Sequence, residues 1–218
     1  KRLGNAEALR EAIAEEMARD PRVFCIGEDI GVPGGWGGAF TVTLGLERKF
    51  PERIINTPIS ELSFVGVAVG ASLAGSRPVV ELMFMDFIAL ASDQLVNQAA
   101  KLHYVFGDQA RCPLVVRTVA GAGRCYGPTH SQSLEAWFLH VPGLTVVAPS
   151  TPADAKIMLK AAIRDDNPVL FMEHKMLYNT KGPVPASCRA DQLPDTARVL
   201  VKGTDLTLVA WSWMVNEA

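Results

Sequence analysis

The sequence is poor in the features that most quickly assign a protein. It has only four cysteines in 218 residues. Cys25, Cys112, Cys125 and Cys188 form no C-x-x-C pair and match no zinc or redox spacing. Reduced thiols are expected, with Cys25 a small buried residue in an apolar strand. Lysine and arginine are scattered among acids and the formal net charge is -2, so the clustered basic surface that nucleic acid requires is missing. No apolar run approaches the ~20 residues of a membrane-spanning helix. The opening Lys1-Arg2-Leu3-Gly4 contains no signal-peptide core. A cytoplasmic location is expected, or a mitochondrial matrix if a leader has been removed. Glycines crowd the stretch Gly31, Gly34, Gly35, Gly37 and Gly38, yet the G-x-G-x-x-G order that opens a dinucleotide-binding helix is missing, and Trp36 interrupts them.

What remains is 49% apolar and 20% charged, enough to bury the core of one large domain, or of a domain plus a fragment. Ala6 to Arg19 places Leu9, Ile13, Ala14 and Met17 at helical spacing. Short apolar strands are expected at 22–26, 53–56, 78–83, 114–118, 144–148 and 169–173. Helices are expected between them at 61–74, 88–104, 134–140 and 153–164. Near-continuous apolar strands alternating with helices predict an α/β fold, a doubly wound and mainly parallel sheet with helices on both faces. The first domain should run from 1 to 180. Pro183, Pro185 and Pro194 mark a linker over 181–197. Residues 198–218, with a strand at Leu206 to Ala210 and one helical turn after it, read as the truncated start of a second α/β domain.

Ligands of open parallel sheets bind beyond the carboxyl ends of the strands, and there the residues are unusually polar. Glu28 and Asp29 follow the first strand. Glu61 opens a helix rich in Gly, Ala and Val. Its position suits an acid capping a helix start; it also suits a carboxylate whose proton affinity is raised by desolvation and which exchanges protons with a ligand. Met83, Phe84 and Phe87 read either as core or as a stacking surface for a flat heteroaromatic ligand. His130 lies in the Gly-rich stretch 121–133, beside a helix N-terminus that favours its neutral form. With His103, His140 and His174 it forms no metal-ligand spacing.

Taken together, these residues resemble the beta subunits of thiamine diphosphate-dependent 2-oxo-acid dehydrogenases, of pyruvate or branched-chain type, and of the similar acetoin dehydrogenases. These chains carry a transketolase-like pyrimidine-binding domain. The marks are Gly27-Glu28-Asp29, Gly38-Ala39-Phe40, Asn56 before Thr57-Pro58-Ile59-Ser60-Glu61, Arg77-Pro78, Asp93-Gln94, Asn97-Gln98, His130-Ser131-Gln132, Pro142-Gly143-Leu144 and Asn167-Pro168. The most specific pair is Thr57-Pro58-Ile59-Ser60-Glu61 with His130-Ser131-Gln132.

The resemblance implies roles. Glu61 matches the glutamate that hydrogen-bonds the aminopyrimidine ring of the cofactor and promotes its activation. Phe87 matches the aromatic that stacks on that ring, with Met83 and Ile59 beside it. His130 matches a substrate-pocket histidine associated with acyl transfer to a lipoyl group, and Glu28 an acid on a path between paired sites. Leu114, Ala162, Asp165 and Asn167 map onto a potassium site, largely through carbonyl oxygens. The magnesium-diphosphate motif, G-D-G with a distant Asn, is missing. A partner alpha subunit in an alpha2-beta2 heterotetramer is therefore expected to supply those ligands, alongside a lipoyl-bearing acyltransferase. Arg124-Cys125-Tyr126 departs from the small residues usual before the His130 segment and is expected to reshape the substrate pocket. Two rivals remain: a non-catalytic interaction subunit, and a fragment of a single-chain transketolase-like enzyme.

Overall fold

The computed structural model describes residues 1–185 and 193–218. Cys188 lies outside the described residues; the other three cysteines are free, and burial pushes the Cys25 thiol up to about 12, leaving it inert. The chain runs β1 (Arg2–Gly4), α1 (Asn5–Arg19), β2 (Val23–Gly27), α2 (Leu46–Lys49), β3 (Ile54–Asn56), α3 (Glu61–Leu73) and β4 (Arg77–Leu82). It continues with α4 (Ile88–Asp93), a π-helical stretch (Gln94–Ala99), α5 (Ala100–Val105), β5 (Val115–Ala120), α6 (Glu135–Leu139) and β6 (Thr145–Val147). Last come α7 (Pro152–Arg164), β7 (Val169–His174), β8 (Lys181–Pro183) and α8 (Met214–Glu217).

Six strands form one parallel sheet in the order β3-β2-β4-β5-β7-β6. From β2 the chain moves outward to β3 and then returns to the other side of β2. That reversal is the topological switch point where ligands of such sheets bind. Alternation along the strands sorts the core into two layers. Cys25, Val79, Val115, Val169 and Phe171 pack with Leu9, Ile13, Leu159 and Ile163 of α1 and α7. Ile26, Val80, Val116 and Leu170 pack with Phe64, Val65 and Ala68 of α3 and with Ile88 and Leu95. Both faces are covered, which is why the strands lack a polar side.

Helix starts follow local chemistry. Thr151 caps α7 by accepting from the Asp154 amide at 3.1 Å, with Pro152 in the first turn, where its missing N–H leaves no bond unmade. Lys156 and Lys160 of α7 reach Glu15 of α1 at 2.5 and 2.6 Å, and Arg164 reaches Glu16 at 2.6 Å. This ladder aligns the two helices over their shared apolar face.

The expected strands and helices of the sheet are present, with boundaries moved by a residue or two. Three features differ. The helix expected over 88–104 is widened at Gln94–Ala99 into π-helical turns. A linker is expected from Lys181, but Lys181–Pro183 is β8, paired antiparallel with β1. That ribbon needs no periodicity in either segment, because only three residues on each side pair. At Leu206 to Ala210 no strand forms, and Leu206, Leu208 and Val209 are exposed. A parallel strand persists only when neighbours and covering helices satisfy it, and this segment has neither among the described residues.

At the sheet's centre lies a buried ionic triad. Arg117 on β5 donates to Glu81 on β4 at 2.8 Å and to both oxygens of Glu173 on β7 at 2.7 Å. Tyr178 donates its hydroxyl to Glu173 as well. Burial pushes the Glu81 carboxyl up against the pull of Arg117, and the Glu173 charge adds to the push. Removing the cation would leave two buried acids facing each other. R117M is expected to lower stability by about 3–5 kcal/mol, read by urea unfolding at neutral pH. A loss below ~1 kcal/mol would show that the triad contributes little.

Candidate functional site

Five strand ends converge at the carboxyl edge of the sheet. Glu28 directly follows β2, Glu61 begins α3 just after β3, and the 3-10 turn Met85–Phe87 follows β4. His130 ends a second 3-10 turn, Pro128–His130, in the loop after β5, and Lys175 follows β7. The Thr57 amide donates to the Gly27 carbonyl at 3.0 Å, tying the exit of β3 to that of β2. Gly38, with φ of +75°, lets the loop after β2 pass close over the triad. A Cβ there would sit 1.9 Å from Glu81 Oε1.

The two acids are buried together. Glu28 is 7% exposed and Glu61 6%. Burial pushes the Glu28 carboxyl up and the charge of Glu61 pushes it further, with Asp29 adding to both. Glu28 Oε1 has no hydrogen-bond partner among the described residues. Ser60, the N-cap of α3, directs its hydroxyl to Ser63 Oγ at 2.7 Å rather than to a backbone amide. Glu61 therefore does occupy the first turn, where the helix dipole favours a carboxylate. A second buried acid, Glu28, lies beside it, which helix capping alone would not require.

The turns after β4 and β5 meet in an aromatic cluster. Phe84 is buried at its centre, edge-on to Phe40 at 5.8 Å, Phe87 at 6.0 Å, Tyr126 at 6.0 Å and His130 at 4.9 Å. Phe87 is half-buried and meets His130 edge-on at 5.2 Å. Of the three residues that could have been plain core, Phe84 is core, while Met83 and Phe87 sit at its partly open margin. Ile59, two residues before Glu61, is 82% exposed, so it is not part of the buried cluster. His130 Nδ1 lies 3.1 Å from the Thr129 hydroxyl, which leaves Nε2 as the free ring nitrogen.

Asp86 and Lys175 were not singled out by the sequence reasoning. Asp86 Oδ1 accepts from the Ser131 and Gln132 amides, each at 3.3 Å, and from Gln132 Nε2 at 2.9 Å. Lys175 is fully buried and donates to the His130 carbonyl. Burial pulls its ammonium pKa down, partly offset by the charge of Asp86. A lysine directly ending an apolar strand was the available signal.

The expected potassium ligands gather at the opposite, amino edge of the sheet. The Leu114 carbonyl accepts from Val169 at 2.8 Å, the Ala162 carbonyl from Asp165 at 3.2 Å, and Asp165 Oδ1 from the Asn167 amide at 2.9 Å. Arg77 already binds the Ile163 and Asp165 carbonyls at 3.0 and 2.9 Å. These four residues cluster, but remote from Glu61 and His130.

A family model described as the transketolase pyrimidine-binding domain matches residues 1–181. The chain belongs to this family. Among curated relatives of the domain, the beta subunit of an acetoin:2,6-dichlorophenolindophenol oxidoreductase from Cupriavidus necator is 46% identical, covering 97% of this chain and 64% of that protein. A pyruvate dehydrogenase E1 component subunit beta from Rickettsia felis is also 46% identical, with coverages of 97% and 64%. A chloroplastic counterpart from rice, subunit beta-4, is 46% identical over 95% of this chain and 51% of its own. The chain thus spans about 64% of the length of the first relatives it matches. Among solved structures, a split-gene transketolase described as an inactive beta4 tetramer superposes with a TM-score of 0.72 at 24% identity, over 99% of this chain and 64% of that one. At that identity the likeness is one of fold. No helix among the described residues of this pyrimidine-binding domain is long and apolar enough to cross a membrane.

The acid pair carries a pH signature. A carboxyl raised on folding holds its proton more tightly in the native state. Its contribution to stability is therefore full below the unfolded value near 4.5 and is lost as pH rises through the folded value. E28Q is expected to raise the thermal midpoint by a few degrees at about pH 8 and to leave it unchanged at about pH 4. A midpoint difference independent of pH would contradict the assigned burial of Glu28.

Proposed function

We propose that this chain is the pyrimidine-binding part of the beta subunit of a thiamine diphosphate-dependent dehydrogenase first component. Its substrate would be a 2-oxo acid, pyruvate or a branched-chain analogue, or acetoin, with acyl transfer to a lipoyl domain. The observation that carries the reading is the buried Glu28–Glu61 pair at the switch point, on the same carboxyl edge of the sheet as Phe87 and His130. The donor set fits an aminopyrimidine. Glu61 is a buried acid able to share a proton with a ring nitrogen, the orphaned Glu28 Oε1 awaits a donor, and the half-buried Phe87 offers an aromatic face with Met83 at its margin, while the exposed Ile59 precedes Glu61 by two residues.

When bound, thiamine diphosphate supplies a carbon nucleophile and an electron sink for the substrate carbonyl. The residues of this chain do the rest of what the site needs. Glu61 would hold the proton at the pyrimidine nitrogen. Phe84, packed behind Phe87, keeps water from that side of the pocket. His130 presents Nε2 for a proton on a substrate oxygen. These residues carry no G-D-G motif, and we assign the magnesium and diphosphate ligands to an alpha partner in an alpha2-beta2 assembly. A potassium ion at Leu114, Ala162, Asp165 and Asn167 would brace the amino edge and take no part in the chemistry.

The domain reading follows the same logic. Residues 1–180 are read as the pyrimidine-binding domain, which β8 extends to Pro183, and 198–218 as the start of a C-terminal domain, without the strand expected at Leu206 to Ala210.

The deciding variant is E61Q in the full-length subunit reconstituted with its alpha partner. Turnover of pyruvate, 2-oxoisovalerate or acetoin, with 2,6-dichlorophenolindophenol as electron acceptor, is expected to fall at least ~100-fold while the complex still assembles. Unchanged turnover would support a non-catalytic interaction subunit. A reading frame encoding a G-D-G domain in the same polypeptide would instead support a single-chain transketolase-like enzyme.

A further inference from the structure

We propose that Asp86 and Lys175 clamp the backbone of His130, Ser131 and Gln132 from opposite sides and so position the His130 imidazole toward the substrate. The inference rests on the reading of His130 as the substrate-facing histidine. Neither residue touches the imidazole, so both are positioning residues.

Sheet order supplies the geometry. Asp86 follows β4 and Lys175 follows β7, the two strands that flank β5, and the histidine loop leaves from β5 between them. Asp86 gathers three N–H groups from Ser131 and Gln132 onto one carboxylate oxygen. From the other flank, the Lys175 ammonium donates to the His130 carbonyl and lies 5.3 Å from the centre of the Phe84 ring and 5.1 Å from that of Tyr126. Phe84 is also the ring against which His130 rests. A single cation thus holds both the backbone of the histidine and the surface behind its imidazole.

Burial sharpens the argument. Lys175 is 0% exposed, and no carboxylate lies within ion-pair distance of its ammonium among the described residues. Burying an ammonium is expensive unless its donors are used. Here they are used on one carbonyl and two aromatic faces. Within the loop, the Gly121 amide donates to the Gln132 carbonyl at 2.9 Å and the His130 amide to the Gly127 carbonyl at 3.4 Å, bonds that engage neither the His130 carbonyl nor the Ser131 amide. Gly127 at φ of +77° and Cys125 at φ of +55° sit in left-handed backbone immediately before the turn that carries His130. Such a segment keeps one conformation only when outside groups hold it.

Two measurements on the full-length subunit in complex with its alpha partner decide the matter. The first is hydrogen exchange of the peptide spanning 127–134, without cofactor. Exchange is expected to quicken ~10-fold in K175M and D86N, and unchanged exchange would overturn the clamp. The second is a double-mutant comparison with pyruvate and with acetoin, using 2,6-dichlorophenolindophenol as acceptor. K175M is expected to lower kcat ~10- to 100-fold in the native background and less than ~3-fold in an H130A background. Equal losses in both backgrounds would overturn positioning through His130 and leave Lys175 a support of the fold. If K175M does not assemble, D86N, which keeps the shape and removes one charge, decides by the same two readouts. If the native complex turns over neither substrate, the proposed function fails, while exchange still decides the clamp.

Discussion

The ion triad centred on Arg117 constrains this structure more than any other contact, because it joins the three central strands at one point. Glu81 and Arg117 are opposite each other across β4 and β5, and Glu173 lies on the far neighbour, β7. A slip of one residue between any two of these strands would turn a charge into an apolar layer and leave its partners unpaired in the interior. The register of the sheet, and with it the height of every loop at the carboxyl edge, is tied to this one guanidinium. Such a triad adds little net stability over a well-packed apolar core. Its effect is specificity of register.

The site inherits that precision. Asp86 is five residues beyond Glu81, and Lys175 is two beyond Glu173. Tyr178, bound to Glu173, stacks on Phe40 at 4.7 Å, which in turn meets Phe84 edge-on. The glycine-rich loop after β2, the aromatic wall and the histidine loop therefore share one anchor. The acid pair at β2 and β3 lies one strand further out, outside this network, and its electrostatics work in the opposite sense. Around Arg117, charges neutralise one another. At Glu28, burial and the like charge of Glu61 raise the proton affinity of the carboxyl instead.

Much of the fold was legible in the sequence because burial on both faces of a parallel sheet forces continuous apolar strands, such as Val169 to Met172, and such runs stand out. Glu61 and His130 were legible as polar residues in the segments that follow such strands. What escaped was whatever depends on pairing between distant segments without a periodic pattern. The β1–β8 ribbon joins three residues at each end of the domain, and neither segment announces the other. The role of Lys175 escaped for a related reason: its partner is the His130 carbonyl, and a backbone acceptor leaves no trace in residue identity. Leu206 to Ala210 shows the reverse case. Its composition is that of a buried strand, but composition states only what a segment can do, and a strand forms only where neighbours exist.

The stretch Arg124-Cys125-Tyr126, before the His130 segment, gains meaning from this geometry. Tyr126 supplies one of the two rings over the Lys175 ammonium and packs edge-on against Phe84. A substitution chosen for the shape of the substrate pocket would therefore alter the packing around the cation that holds the His130 carbonyl. Changes in this stretch cannot tune pocket size independently of histidine placement, since both act through Phe84 and Lys175. Under the proposed function, selection of the substrate and the placement of His130 would be coupled properties of one loop.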